Sequence, residues 1–443
     1  MPVRVGMVSL GCSKNLVDSE RMLYKLKSHG YKLVTEPGLA DVAVVNTCGF
    51  IQSAKEEAIE TILELSKLKA DGTLKKIIIT GCLTERYREE AAELFPEADA
   101  VIGIGNNKDI IDVLDHVLAG ERYVSFAPKL DAELTGERII STLPFFSYLK
   151  IAEGCSNCCT YCAIPQIRGK YRSVPMEEVL SEARTLAENG VSELIVIAQD
   201  TTRYGEDLYG ESKLPELLRE LCKIDGLKWI RTLYCYPERI TDELLDTIAE
   251  EEKLVKYLEI PIQHCNADIL SRMNRWGDAE QLESLFSHIR EKIPGVVLRT
   301  TLITGFPGET EQQFEELAEF VQKMRFDRLG CFAYSREEGT KSYDFPEQID
   351  EETAAHRADI IMEQQMLISC ENNERLLECE LEAVVEGFDR FGECWFGRTA
   401  LDAPDIDGKV FFTSDRPLAI GDFVTIKITD TLDYDLIGEV ISK

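Results

Sequence analysis

Short apolar runs alternate with longer amphipathic stretches along the N-terminal part of the chain. Residues 3–10, 41–46 and 76–80 are apolar runs of strand length, and residues 101–104 form a further one. Helical stretches lie between them. The clearest carries Ser53-Ala54-Lys55-Glu56, which reads as a capping box, followed by Ile59, Ile62, Leu63, Leu65 and Leu68 at helical spacing. Strands alternating with helices predict a parallel sheet with helices on its faces. Residues 125–144 show weak periodicity and read as a linker.

A second series of strand-length runs follows at residues 147–151, 193–198, 228–234, 256–261, 297–303 and 328–334, again separated by helical stretches. One such stretch begins near Ser173-Val174-Pro175, read as a start cap, and stops at Asn189-Gly190. Another opens with the capping box Thr310-Glu311-Gln312-Gln313 and carries Phe314, Leu317 and Val321 on one face. Six β/α units in a row predict an open or partial (β/α)6 barrel, a class that places its chemistry at the C-terminal ends of its strands. After a helical connector over residues 351–378 come short runs at 380–386, 392–396, 410–413, 423–428 and 435–441, separated by turn residues, which predict a small antiparallel β-barrel. The expected fold class is thus α/β with a C-terminal all-β domain. The expected domains are 1–124, a linker at 125–144, 145–370 and 371–443.

Composition changes this picture in two ways. The 443 residues hold no apolar run long enough to cross a membrane, and the first residues lack the basic start and apolar stretch of a signal peptide. A cytoplasmic protein is therefore expected, with its thiols reduced, so 14 cysteines point to metal binding or catalysis rather than to disulfides. The net charge of −31 disfavours nucleic-acid phosphates as a partner and favours a basic one.

Two groups of cysteines carry candidate chemistry. Cys155, Cys159 and Cys162, spaced C-x3-C-x2-C, fall in a loop after the first strand of the second series, with the aromatic Tyr161 directly before the third. Three thiolates suit a four-iron cubane that keeps one iron open. Cys158 lies inside the run and allows a four-cysteine zinc site, but zinc sites pair cysteines across a folded spacer and here the pairs abut. Cys158 accordingly reads as a non-ligand. Cys12, Cys48 and Cys82 are scattered in sequence, yet each falls just past one of the first three strand runs. In a parallel sheet those ends lie side by side on the ligand-binding edge, so the three thiols are expected to converge on a second cluster. Unrelated core cysteines are the alternative. Cys222, Cys235, Cys265, Cys331, Cys370, Cys379 and Cys394 show no ligand spacing. His264, at the end of a strand of the second series, is a candidate to line a ligand pocket there.

The Cys155/Cys159/Cys162 run with Tyr161 resembles the radical S-adenosylmethionine (SAM) signature, and the resemblance reaches across residues 147–334. Combined with the N-terminal triad and the terminal barrel, the chain resembles the radical SAM methylthiotransferases over nearly its whole length, with the barrel similar to their TRAM domain, which engages the substrate. The resemblance implies a transferase with two [4Fe-4S] clusters that uses SAM twice, once as methyl donor and once as radical source, and that adds a methylthio group to an unactivated carbon. Gly11-Cys12-Ser13-Lys14-Asn15-Leu16-Val17-Asp18-Ser19-Glu20, Ala198-Gln199-Asp200-Thr201-Thr202-Arg203-Tyr204-Gly205 and Asp433-Tyr434-Asp435-Leu436-Ile437-Gly438-Glu439 resemble the branch that modifies the β-carbon of an aspartate in ribosomal protein S-twelve. Ser13 stands where that branch often has proline. The transfer-RNA branch, which modifies adenosine, usually reads Gly-Cys-Gln-Met-Asn at the first motif.

Charge adds an independent consideration: residues 371–443 hold 17 acidic against 7 basic side chains, a net of −10, which suits a basic ribosomal protein better than RNA. Transfer RNA is therefore not the expected partner, and the expected electron donor is a flavodoxin or ferredoxin. The implied site comprises Cys155, Cys159 and Cys162 for the SAM-binding cluster and Cys12, Cys48 and Cys82 for the auxiliary, sulfur-carrying cluster. Tyr161, Gln199, Asp200, Gln263 and Gly305 are candidates to hold SAM, and no catalytic residue is implied beyond the cluster ligands. A transfer-RNA methylthiotransferase and a non-catalytic iron–sulfur protein are the alternatives.

Overall fold

A computed structural model of the chain describes residues 2–441; Met1, which opens the first expected domain, and Ser442 and Lys443, which close the last, lie outside the described residues. The N-terminal part is a six-stranded, all-parallel sheet of β1 (Arg4–Ser9), β2 (Lys32–Val34), β3 (Val42–Thr47), β4 (Lys76–Gly81), β5 (Ala100–Ile102) and β6 (Tyr123–Ser125), in the order β2-β1-β3-β4-β5-β6. The central strand β3 is buried at every residue, because both faces are covered. Its Val42 and Val44 face α1 (Ser13–Ser28) and α4 (Ile110–Leu118), whereas Ala43 and Val45 face α2 (Gln52–Ala70) and α3 (Cys82–Leu94). The helix expected to be capped by Ser53 starts one residue earlier, at Gln52, and has no side-chain cap. Glu56 instead accepts from the Gln52 side chain (2.8 Å). Its buried stripe is narrower than the sequence suggests: Ala58, Ile62 and Leu65 are inside, while Ile59 and Leu63 face solvent.

The stretch read as a linker is pinned down by charge. Arg138 is buried between Glu20 of α1 (3.0 Å) and Glu182 (2.8 Å), and Ser141 donates to Glu20 through its backbone N–H (2.7 Å) and its hydroxyl (2.8 Å). Beyond it, β7 (Phe146–Lys150) leads into a short hairpin, β8 (Ala152–Glu153) with β9 (Arg172–Ser173), and α5 (Ile164–Arg168) lies between these two strands. The second large sheet adds β10 (Glu193–Ile197), β11 (Trp229–Thr232), β12 (Leu254–Glu259), β13 (Val297–Thr304) and β14 (Arg328–Ala333). It is open and all-parallel, in the order β14-β13-β12-β11-β10-β7. Helices α6 (Met176–Glu188), α7 (Glu206–Tyr209), α8 (Leu214–Cys222), α9 (Asp242–Glu250), α10 (Ala267–Met273), α11 (Ala279–Lys292) and α12 (Glu311–Met324) connect the strands. Leu180, Leu217, Leu245, Phe286 and Leu317 from five of them share one core with the sheet. The capping box of α12 forms as predicted, Thr310 and Gln313 exchanging hydrogen bonds (2.9 and 3.3 Å). The start cap read at Ser173 for α6 does not form: Pro175 precedes the helix, and Ser173 sits in β9, where its hydroxyl donates to Asp207 (2.6 Å).

The opposite face of this sheet takes none of these helices; Val17 of α1 and the C-terminal barrel pack against it instead. Helix α13 (Glu351–Glu374), four residues shorter than expected, leads to a closed barrel of β15 (Glu380–Asp389), β16 (Cys394–Thr399), β17 (Val410–Thr413), β18 (Phe423–Thr431) and β19 (Leu436–Val440), in the order β15-β16-β17-β19-β18. The expectation of a wholly antiparallel barrel fails at one seam. The last strand enters between β17 and β18, antiparallel to β18 and therefore parallel to β17. The barrel covers the bare face with buried ion pairs: Arg398–Glu193 (2.8 Å), Arg328–Asp402 (2.6 Å) and Arg299–Asp407 (3.3 Å). Trp229 meets Phe423 edge-on at 4.9 Å beside them. Among the described residues no helix is long and apolar enough to cross a membrane.

Candidate active site

Strands β1, β3 and β4 are neighbours in one parallel sheet, so their C-terminal ends share an edge, and the N-terminal cysteine triad lies there. Cys12 immediately precedes α1, Cys48 follows β3, and Cys82 is the first residue of α3. The three loops are packed backbone against backbone. A Cβ on Gly11, whose φ is +84°, would lie 2.7 Å from the Cys48 Cβ and 2.9 Å from its sulfur. One on Gly81 would lie 2.5 Å from the backbone of Thr47. Asn15 ties the same edge together by donating to the carbonyls of Leu10 (2.7 Å), Asn46 (3.2 Å) and Thr47 (3.3 Å). Burial pushes the Cys82 thiol up to about 12, partly offset by Arg168, and raises that of Cys48. Any metal ligation at this edge would therefore displace thiol protons.

The second triad occupies the loop between β8 and α5. Cys155 and Cys159 are buried and Cys162 is half-buried, while Cys158 is exposed, with φ at +55°. Burial raises the Cys155 thiol to about 11 and that of Cys162 further, with Cys159 adding to both. Arg275 approaches the Cys159 sulfur at 3.9 Å and lies 4.1 Å from the ring centroid of Tyr236, whose hydroxyl is 3.8 Å from the same sulfur. All 14 cysteines are free thiols. Among the described residues no group of three or more His, Cys, Asp or Glu is drawn tightly enough to hold one metal ion. Tetrahedral zinc needs its sulfurs about 3.8 Å apart. The donor set of each triad, three thiols on convergent backbone, suits a larger thiolate-bound group.

The two triads are joined by a buried charge network that no spacing in the sequence announces. Arg168, at the end of α5, donates to the Cys82 sulfur (3.3 Å), to Asn15 (2.9 Å) and to Asp18 (2.6 Å). Lys150, the last residue of β7, pairs with Asp18 and with Glu153 (2.8 Å). Burial alone would raise the Glu153 carboxyl, but Lys150 and Arg168 outweigh it and hold it well below the usual carboxylate range. Lys14 is buried with its ammonium 3.0 Å from the ring centroid of Tyr234, and desolvation lowers its pKa to about 8. The only sequence signal for Arg168 and Lys150 is position, one six residues past the third cysteine and one at a strand end.

The candidate SAM residues divide. Tyr161 packs beside Ile269, Met273 and Phe306. Gln199 donates to Glu153 (3.3 Å) and keeps a buried oxygen without a partner. Gln263, in the segment after β12, adopts φ +71° and bridges to Leu302 of β13, and its side-chain amide makes no hydrogen bond among the described residues. Asp200 is fully buried and already engaged, accepting from Asn157 (2.8 Å) in the cysteine loop and from Thr202 (2.7 Å). The Gly305 amide donates to Glu309 (2.5 Å), and its α-carbon packs against Ala354 of α13. His264 is fully buried, with Nδ1 accepting from the Asn266 amide (2.9 Å), so it organises its loop.

Comparison with known proteins matches residues 4–103 to an uncharacterised protein family, UPF0004, residues 149–321 to the Radical SAM superfamily, and residues 379–441 to the TRAM domain. The chain is 49% identical over 437 residues to the ribosomal protein uS12 methylthiotransferase RimO of Thermoanaerobacter sp. (strain X514), covering 98% of this chain and 99% of that one. It is 47% identical to the RimO of Geobacter sulfurreducens over 442 residues, 99% of each. Among solved structures, the radical SAM methyltransferase TsrM of Kitasatospora setae, with cobalamin and a [4Fe-4S] cluster bound, superposes with a TM-score of 0.58 at 15% identity, covering 77% of this chain and 74% of that one. The cobalamin-dependent SAM radical enzyme OxsB superposes with 0.51 at 14% identity, covering 82% and 56%. These two share the fold. On the strength of its full-length relatives, the chain belongs to the RimO family of radical SAM methylthiotransferases.

Proposed function

We propose that this enzyme adds a methylthio group to the β-carbon of an aspartate in ribosomal protein S-twelve, using two iron–sulfur clusters that face one cavity. The observation that carries this reading is the contact of Arg168, which follows one cysteine triad, with Cys82 of the other (3.3 Å). Cys155, Cys159 and Cys162 would hold a [4Fe-4S] cluster with SAM on its open iron, and Cys12, Cys48 and Cys82 a second that carries the sulfur. Together the groups supply the adenosyl radical, the methyl group and the sulfur atom. The protein's part is to position and to insulate. Arg168 and Lys150 neutralise Asp18 and Glu153 between the triads, which fixes the distance between the two sheet edges. Gln199 and Gln263 keep amide atoms free to receive SAM, with Tyr161 beside the third cysteine. Asp200 acts at one remove, through its hydrogen bond to Asn157 of the cysteine loop.

The substrate reading is supported by the names of the full-length relatives and by the acidic barrel, whose net charge of −10 would attract a basic protein. The domain limits 1–124, 145–370 and 371–443, a cytoplasmic setting and a flavodoxin or ferredoxin as electron donor belong to the same proposal. The test is an anaerobically reconstituted enzyme given SAM and reductant, offered S-twelve and unmodified transfer RNA in parallel and read by mass spectrometry. A methylthio increment on the S-twelve aspartate is expected. An increment on adenosine alone would transfer the enzyme to the transfer-RNA branch.

A further inference from the structure

Among the described residues, Lys14, Lys150 and Arg168 are buried cations between the cysteine triads, and two of them are spent. Lys150 and Arg168 face Asp18 and Glu153, two charges against two. Lys14 is the third. It is 5% exposed, and among the described residues no carboxylate lies within ion-pair distance of its Nζ and no acceptor takes a hydrogen bond from it. The nearest acidic group on the Tyr234 side, Glu259, is itself engaged by Arg299 (2.7 Å) and by the Tyr234 amide (3.1 Å). Tyr234 lies just past the end of β11 with φ at +63°, a conformation that costs a bulky residue energy, and it sets its ring 3.0 Å from the Lys14 ammonium. A ring face satisfies a cation in part but accepts none of its N–H bonds in the way an anion does. Cys12, two residues before it, is the strongest favourable charge on Lys14, ahead of Glu259, but neither accepts a hydrogen bond from the ammonium, and a buried ammonium with unspent donors is unfavourable unless an acceptor arrives.

The position of Lys14 decides what arrives. It sits two residues past Cys12, in the first turn of α1, and it reaches the strand-end side of the second sheet at Tyr234. Tyr234 is two residues before Tyr236, whose hydroxyl is 3.8 Å from the Cys159 sulfur, so Lys14 lies between the two cysteine triads, where on the reading above the substrate's reacting carbon enters. We propose that Lys14 forms the binding site for the carboxylate of the substrate aspartate. The inference rests on the protein-substrate reading above. The aspartate carboxylate is one bond from its β-carbon, so anchoring it on Lys14 fixes the carbon that loses hydrogen and gains the methylthio group. The same contact rejects an asparagine, whose neutral amide leaves the ammonium uncompensated.

The test compares the reconstituted wild-type enzyme with Lys14→Met and Lys14→Arg on S-twelve carrying either aspartate or asparagine at the modified position, scoring kcat/KM, substrate Kd and iron content. Wild type is expected to favour aspartate by about 10- to 100-fold, the range of a charge-assisted hydrogen bond. Lys14→Met should bring both the kcat/KM ratio and the Kd ratio toward one with iron content held, and Lys14→Arg should retain most of the preference. An unchanged ratio in Lys14→Met would overturn the inference while leaving the substrate reading intact. So would loss of iron in that variant, which would assign Lys14 to the auxiliary cluster. No modification of S-twelve by wild type would remove the substrate reading and this inference with it.

Discussion

The two cysteine triads are built in opposite ways. Cys155, Cys159 and Cys162 lie within eight residues of one another on a single loop, so the chain itself keeps them together whatever the sheet beneath them does. Cys12, Cys48 and Cys82 come from three strand ends and meet because β1, β3 and β4 are adjacent and because Gly11 and Gly81 let the three loops touch. The first site is a property of local sequence and the second a property of topology. It follows that a side chain added at a loop glycine that lets the strand ends touch should damage the second site and spare the first.

The largest separation is expected from removing Cys12, Cys48 and Cys82 together by substitution with alanine. Methylthiolated product should fall to background while reductive SAM cleavage, measured as 5′-deoxyadenosine, continues. Next comes Arg168→Met, which strips Asp18 of its 2.6 Å partner and removes the link between the triads. Breaking a buried pair of this kind costs about 3–5 kcal/mol and should appear as an earlier denaturation midpoint of the whole chain.

Gly11→Ala tests the dispersed site on its own. A side chain at φ +84° costs about 1–2 kcal/mol, and the new Cβ would press on Cys48, so iron at the auxiliary site should drop. Gly30→Ala is the matched control: its φ is +88° but nothing lies within 4 Å, so it should cost a similar strain and leave iron content unchanged.

The smallest effect concerns His264, in the loop after β12. Burial holds its pKa down to about 3, below the unfolded value of about 6.5. The neutral ring is therefore at no disadvantage above about pH 6.5, and stability falls as pH drops from there toward 3. His264→Gln should flatten that part of a stability–pH curve and leave the auxiliary edge untouched.

The same contrast explains what the sequence disclosed. The positions of the longer strands, the six β/α units and the terminal barrel followed from hydrophobic runs of strand length, because parallel strands covered on both faces, such as β3, are continuous apolar blocks, whereas the three-residue edge strands β2 and β6 were too short to register. The compact triad was legible from spacing, and the dispersed one only after the strands had been placed. Arg168, Lys150, Asp18 and Glu153 were invisible as a group, since their pairing depends on how the first sheet docks on the second. The capping box read at Ser53 failed because the chain enters α2 from Ile51, and a four-residue pattern does not record the direction of entry. The parallel seam between β17 and β19 was equally hidden, as strand-length runs carry no information about which neighbour each one meets.

The central claim is that each triad holds its own cluster. Iron and sulfide counts on the anaerobically reconstituted wild type and on the two triple cysteine-to-alanine variants test it most directly. The account predicts about eight irons per chain in wild type and about four in each variant, two cubanes reduced to one. About four irons in wild type, unchanged when Cys12, Cys48 and Cys82 are removed, would contradict it.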